Sequence, residues 1–293
     1  MDIDRLPVEC ISCILAFTSP KDACRSAAVS LAFRSAADSD ALWTNFLPSD
    51  YRQIISQASS PSSTSVLNSL SKKALYFHLC DHLLLIGSGN SKIIMLFEEF
   101  FLEIKLTDEI ANNLNQSFVL EKESGRKCYM IGARDLDIIW GSSPEYWTWK
   151  SIPISRFPQV AELQVVFWLE IKGKIEARNL SPKTKYGAYF VFKLVENRYR
   201  RHGFQMRPVS LKVNFEGTEV EEERKKMVIL DPPEGSLVVS QERSDGWMEV
   251  EMGEIFNELG DDGSIVFHLK EIDNYISKSG LIVEGIEIKP KKD

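Results

Sequence analysis

The sequence predicts an α+β multidomain chain, with an all-α helical bundle at the N-terminus followed by an antiparallel β-sandwich. Residues 3–47 carry helix caps, proline starts and apolar side chains at helical spacing. From Phe118 onward the apolar period shifts toward two, in strand-length runs separated by Gly, Pro, Asn and Asp. A chain of 293 residues is too long for one small core and fits two modest ones.

Composition narrows the function. The chain has 35 Lys and Arg against 42 Asp and Glu, a net charge of −7 whose field repels nucleic acid, so a nucleic-acid partner is not expected. Acidic Asp2, Asp4 and Glu9 stand where a secretory signal needs a basic region, which points to a cytoplasmic and/or nuclear protein. The longest apolar run, 93–104, is interrupted by Glu98, Glu99 and Glu103 and is shorter than the ~20 residues of a bilayer span, so no membrane partner is expected. Five cysteines, at 10, 13, 24, 80 and 128, read as reduced thiols used as small buried hydrophobes.

The helical segment is punctuated in order. Leu6-Pro7 opens a helix carrying Val8, Ile11, Ile14 and Leu15. Ser19-Pro20 caps and starts a second, with Asp22 in its first turn; Ser30 caps a third, and Asp38-Ser39-Asp40 starts a fourth with Leu42, Trp43 and Phe46. Helices this short owe their order to packing. Their apolar residues outnumber what so small a bundle can hide, which implies a partner surface. The pair Cys10 and Cys13 lacks a second ligand pair at zinc spacing and reads as two buried thiols on one helix, so no metal or other cofactor is expected.

Leu6-Pro7-x-Glu9, Ile14-Leu15-x-Phe17, Ser19-Pro20-Lys21-Asp22, Val29-Ser30, Phe33-Arg34 and Leu42-Trp43-x-x-Phe46 together resemble an F-box, the module that docks a protein onto the Skp-type adaptor of a cullin ubiquitin ligase. The resemblance implies that Leu6, Pro7, Ile11, Ile14, Leu15, Val29 and Phe33 make the adaptor contact. One departure is the second helix, where the stretch 23–28 is smaller than the leucine-rich version usual in F-boxes.

Residues 48–116 read as a linker with helices. Ser, Gln and Pro across 48–73 suggest an exposed connector. A helix over 73–86 follows, on which His78 and His82 are surface residues without a third metal ligand, and an insertion is expected at 91–115. Strands are then expected at 118–131 (two, around a Ser-Gly turn), 161–171, 173–177, 186–194, 209–215, 227–230, 246–252, 264–272 and 280–288, with one short helix at 253–260.

No nucleophile, metal or nucleotide signature stands out, and an enzyme is not expected. Sugar binding needs less: an aromatic face for the C–H side of a pyranose and a carboxylate for its hydroxyls. Three of the six tryptophans, Trp140, Trp147 and Trp149, fall within ten residues. Strand parity puts Trp140 on the face of Leu136 and Ile138, toward a core unless the strand ends at Gly141. Trp149, Trp168 and Trp247 are expected to pack.

Ala133-Arg-Asp-Leu-Asp-Ile-Ile-Trp140-Gly, Glu145-Tyr-Trp147-Thr-Trp149, Trp168-Leu-Glu-Ile-x-Gly-Lys-Ile175, Ser244-Asp-Gly-Trp247 and Lys278-Ser-Gly-Leu-Ile-Val283 resemble the plant phloem lectin, or Nictaba-like, domain. That resemblance implies a jelly-roll lectin over 117–293, binding N-acetylglucosamine-type glycans through Trp140, Trp147 and Glu271. Ser264 stands where the family has a second glutamate, and losing that charge-assisted acceptor costs about 1–3 kcal/mol where the contact is made. With an F-box over 1–47, the whole chain resembles the plant F-box proteins of the phloem-protein type. The expected function is substrate recognition for an SCF-type ligase, with a Skp adaptor and a glycoprotein as partners. The alternatives are a sandwich that binds protein without a sugar site, and a stand-alone defence lectin with a degenerate F-box.

Overall fold

The computed structural model describes residues 6–58, 61–87, 114–218, 225–233, 235, 239–260, 263–272 and 275–292. The chain divides into two compact units, Met1–Ile86 with Phe118–Cys128, and Gly87–Ser117 with Tyr129–Asp293.

The first unit is helical: α1 (Val8–Leu15), α2 (Pro20–Ser26), α3 (Leu31–Ala37), α4 (Asp40–Phe46), α5 (Tyr51–Ser56), α6 (Pro61–Ser69) and α7 (Lys72–Asp81). The expected caps form, with Ser19, Ser30 and Ser39 accepting from the amides of Asp22, Phe33 and Leu42. Small side chains let α1 and α3 approach: Ser12 Oγ donates to the Ala36 carbonyl at 3.2 Å, and Ala36 and Ala37 are buried. Ala23 on α2 is likewise buried, and its small side chain serves close packing there. Trp43 is buried with its ring 5.0 Å from that of Tyr76 and 5.2 Å from that of Phe77.

Three expectations are corrected here. Residues 48–73 are not an exposed connector, because Tyr51, Ile54 and Ile55 form an apolar stripe on α5 and are buried with Leu67 of α6. The helix expected over 73–86 ends at Asp81, and β1 (Leu84–Ile86) follows. Cys10, Cys13 and Cys24 are exposed rather than buried, although all five thiols are free. The expected insertion lies outside the described residues from 91 to 113.

The remaining strands are β2 (Gln116–Leu120), β3 (Lys127–Gly132), β4 (Asp137–Ile138), β5 (Trp147–Lys150), β6 (Val160–Leu163), β7 (Leu169–Glu176), β8 (Thr184–Leu194), β9 (Val209–Phe215), β10 (Lys226–Val228), β11 (Gln241–Glu242), β12 (Met248–Asn257), β13 (Ser264–Glu271) and β14 (Leu281–Pro290). The Ser-Gly turn between β2 and β3 forms as expected, with Gly125 at φ +72. In the second unit β3, β14, β8, β12 and β11 run side by side, and β6, carrying β5, pairs with the start of β14. The other sheet has the order β10-β9-β13-β7-β4, and all registers given for the two sheets are antiparallel.

The sheets meet through Phe190 and Ile286 from one, and Ile171, Phe267 and Leu269 from the other. Gly173 marks the close approach, since a Cβ there would lie 3.0 Å from the side chains of Ile286 and Leu136. Two expected elements change. The run 161–171 is broken, β6 ending at Leu163 and β7 starting at Leu169. The expected helix at 253–260 is the continuation of β12, whose register against β8 slips between Glu251 and Gly253. That bulge adds a residue and reverses the inside-outside parity, which hides the alternation from a sequence reading.

Candidate functional site

The tryptophan cluster is a turn held by two indoles that presents a third. β4 ends at Ile138, and the Ile139 amide still donates to the Glu170 carbonyl at 3.1 Å. Trp140 then takes φ +58, a left-handed conformation that costs a side chain with a Cβ about 1–2 kcal/mol. Gly141 closes the turn, its amide donating to the Ile138 carbonyl at 2.8 Å. A Cβ at Gly141 would lie 2.9 Å from that carbonyl oxygen, so glycine is required.

Trp147 and Trp149 share one face of β5. Their Nε1–H groups donate to the carbonyls of Ile139 at 3.2 Å and Gly141 at 2.8 Å. Spacing of two on the strand thus matches spacing of two on the turn. The Arg134 guanidinium lies 3.8 Å from the centre of the Trp149 ring and covers it. Trp147 is 2% exposed, so its ring is part of the core. Trp140 is 45% exposed, with its ring 5.2 Å from that of Tyr146 at an interplanar angle of 39°.

The expected acceptors lie elsewhere. Glu271 is buried on the core side at the end of β13 and forms an ion pair with buried Lys278, which also donates to the Phe167 carbonyl at 2.6 Å. Ser264 is the first residue of the same strand and donates to Glu176 Oε1 at 3.1 Å. Seven residue steps along the strand separate the two by about 23 Å and put them on opposite faces. Trp140 and Glu271 share one end of the five-stranded sheet, because Glu271 pairs with Leu169, the residue that the β4–β7 register places across from Trp140. Of the four expected sugar residues, only Trp140 offers an exposed ring.

Trp247 packs as expected, fully buried with Nε1–H donating to the Ile154 carbonyl at 3.3 Å. Trp168 does not: it is 37% exposed, and its Nε1–H donates to Glu170 Oε2 at 3.1 Å. Burial works against ionisation of Glu170, but hydrogen bonds from Lys172 and Trp168 outweigh it and hold the carboxyl below its ordinary range. The signal in the sequence was the pair Trp168 and Glu170, an indole and an acid two residues apart at the start of β7. His268, on the outer face between Lys172 and Lys212, is held below the usual imidazole range by burial and by those lysines.

In the helical unit the expected adaptor residues divide. Ile11 and Leu15 face the interior, where α1 packs on α3 and α4. Ile14, Val29 and Pro7 are exposed, and Leu6 and Phe33 are half-buried. Phe17, 93% exposed, and Leu31 add apolar area that the sequence reading did not assign. His78 and His82 stack at 4.2 Å, and among the described residues no group of three or more His, Cys, Asp or Glu could hold a metal.

Residues 126–290 match the family Phloem protein 2, and residues 3–49 match F-box-like. Three Arabidopsis thaliana proteins align over nearly the whole chain. F-box protein At2g02240 is 41% identical over 99% of this chain and 80% of its own length. F-box protein PP2-B10 is 38% identical over 99% and 94%, and F-box protein VBF 34% identical over 98% and 99%.

Proposed function

The chain belongs to the F-box proteins of the phloem protein 2 family, and from that premise we propose that it is a non-enzymatic substrate receptor of an SCF-type ubiquitin ligase. In this reading the F-box-like residues 1–47 dock a Skp-type adaptor, and 117–293 recognise the protein to be modified through an N-acetylglucosamine-type glycan. The observation that carries the ligase half is the exposed aliphatic set Ile14, Val29 and Leu31, with Phe17, on a segment of F-box-like sequence. So much apolar area on a few short helices is covered in a complex. Leu6 and Pro7 stand at the entrance to α1 beside it. Wild-type protein should co-purify with a Skp-type adaptor, and the Leu6→Ala/Pro7→Ala protein should not; equal behaviour of the two would refute the ligase half.

The glycan half rests on Trp140, whose ring is held outward at a strained φ by a turn that two other indoles fasten. Strain kept at one exposed aromatic is economical where that ring meets a ligand. A glycan array should show binding to N-acetylglucosamine oligomers that Trp140→Ala abolishes. The burial of Trp147 and the Lys278 partner of Glu271 favour a second reading, in which the same surface binds protein and no sugar. A blank array for the wild type would decide for it.

A further inference from the structure

Trp168 and Glu170 form an arrangement that the family resemblance does not assign. The indole, in the bend just before β7, is partly exposed, and its N–H is fixed on the carboxylate of Glu170 in the strand. Glu170 Oε1 is 3.0 Å from Lys172 Nζ, which keeps the acid charged, and Lys270 Nζ from β13 stands 5.6 Å from the Trp168 ring centre. An aromatic plane, an anionic acceptor and an ammonium donor therefore stand together on the outer face of the five-stranded sheet. The amide of Ile139, next to Trp140, donates to the Glu170 carbonyl, so the segments that carry Trp140 and Trp168 adjoin there.

The geometry points to a second saccharide subsite at Trp168, Glu170 and Lys270, next to the proposed contact at Trp140. The inference rests on the glycan half of the proposed function. Trp168 supplies the stacking face for the next pyranose, Glu170 accepts from its hydroxyls, and Lys270 donates to its ring or acyl oxygens. The hydrogen bond between Trp168 and Glu170 fixes the ring plane before the sugar arrives, which lowers the ordering cost of binding.

Calorimetric titration with N-acetylglucosamine and with its β-1,4-linked trimer tests this. The wild type should bind the trimer more tightly than the monomer. Trp168→Ala should weaken the trimer about ten-fold and leave the monomer unchanged. Glu170→Gln should weaken the trimer by a few-fold, and Trp168→Phe, which keeps a ring but no N–H, should fall between wild type and alanine. Trp140→Ala should lose both ligands. If Trp168→Ala binds the trimer as the wild type does while Trp140→Ala binds nothing, the subsite falls and the glycan reading stands. Equal weakening of monomer and trimer by Trp168→Ala would show a role in shaping the turn and would also overturn the subsite. A wild type that binds neither sugar overturns both.

Discussion

Two exposed apolar regions, one on each unit, differ in the chemistry around them. The helical one is aliphatic at Ile14, Val29 and Leu31, all of them exposed. Such a surface discriminates by shape and needs another apolar surface of matching relief. The one on the sandwich is aromatic, with Trp140 against Tyr146 and Trp168 locked onto Glu170. Rings with fixed acceptors beside them suit a ligand with C–H faces and hydroxyls. With such different surroundings, the two regions should fail in different ways when mutated.

The largest effect should come from the indole that neither region exposes. Trp147→Ala removes a buried ring and the donor to Ile139, and should cost about 3–5 kcal/mol of stability. Chemical denaturation would measure that loss, and a variant nearly as stable as the wild type would mean that Trp147 is a surface residue after all. Acid should act next in size, and on the sandwich. Burial disfavours the charged form of Glu287, but Arg156 and Arg243 outweigh it and hold the carboxyl at about 2. A depressed carboxyl contributes stability that is full above its unfolded value and is lost as pH falls through the folded one. A contribution on the order of 3 kcal/mol should therefore disappear between about pH 4.5 and 2. The gap in melting temperature between wild type and Glu287→Gln should be wide at pH 6 and narrow toward pH 2.5; a gap independent of pH would contradict this.

Ile14→Asp tests the aliphatic region alone. The side chain is exposed, so stability should move by no more than about 0.5 kcal/mol, while a carboxylate pressed into an apolar contact should abolish adaptor capture. Capture that survives the substitution would place the adaptor contact elsewhere on the helices.

Most of the fold was legible because its signals are local. Caps at Ser19, Ser30 and Ser39 lie within three residues of what they cap, and the strand β9 has a clean alternation with matching ends. What was not legible depends on partners distant in sequence. The bulge in β12 shows only against β8, and the core role of α5 only through the residues that cover Tyr51 and Ile55. At the site, the exposure of Trp140 was legible as an alternative at Gly141, the turn that ends the strand. The partner of Glu271 was not, because Lys278 reaches it by the fold rather than by spacing.

The smallest effect separates strain from binding at Trp140 itself. Alanine at this position keeps the Cβ that φ +58 penalises, and glycine removes it. At an ordinary strand residue glycine is the less stable of the two, because it loses more chain freedom on folding. Here the order should invert, with Trp140→Gly more stable than Trp140→Ala by about 1 kcal/mol. Both substitutions remove the ring, so both should lose binding to N-acetylglucosamine oligomers equally. A stability gap with equal binding loss means that the left-handed turn holds the indole out at a cost which only the ligand contact justifies. If alanine proves as stable as glycine, the turn carries no strain, and the exposure of Trp140 is left with no cost for a ligand to explain.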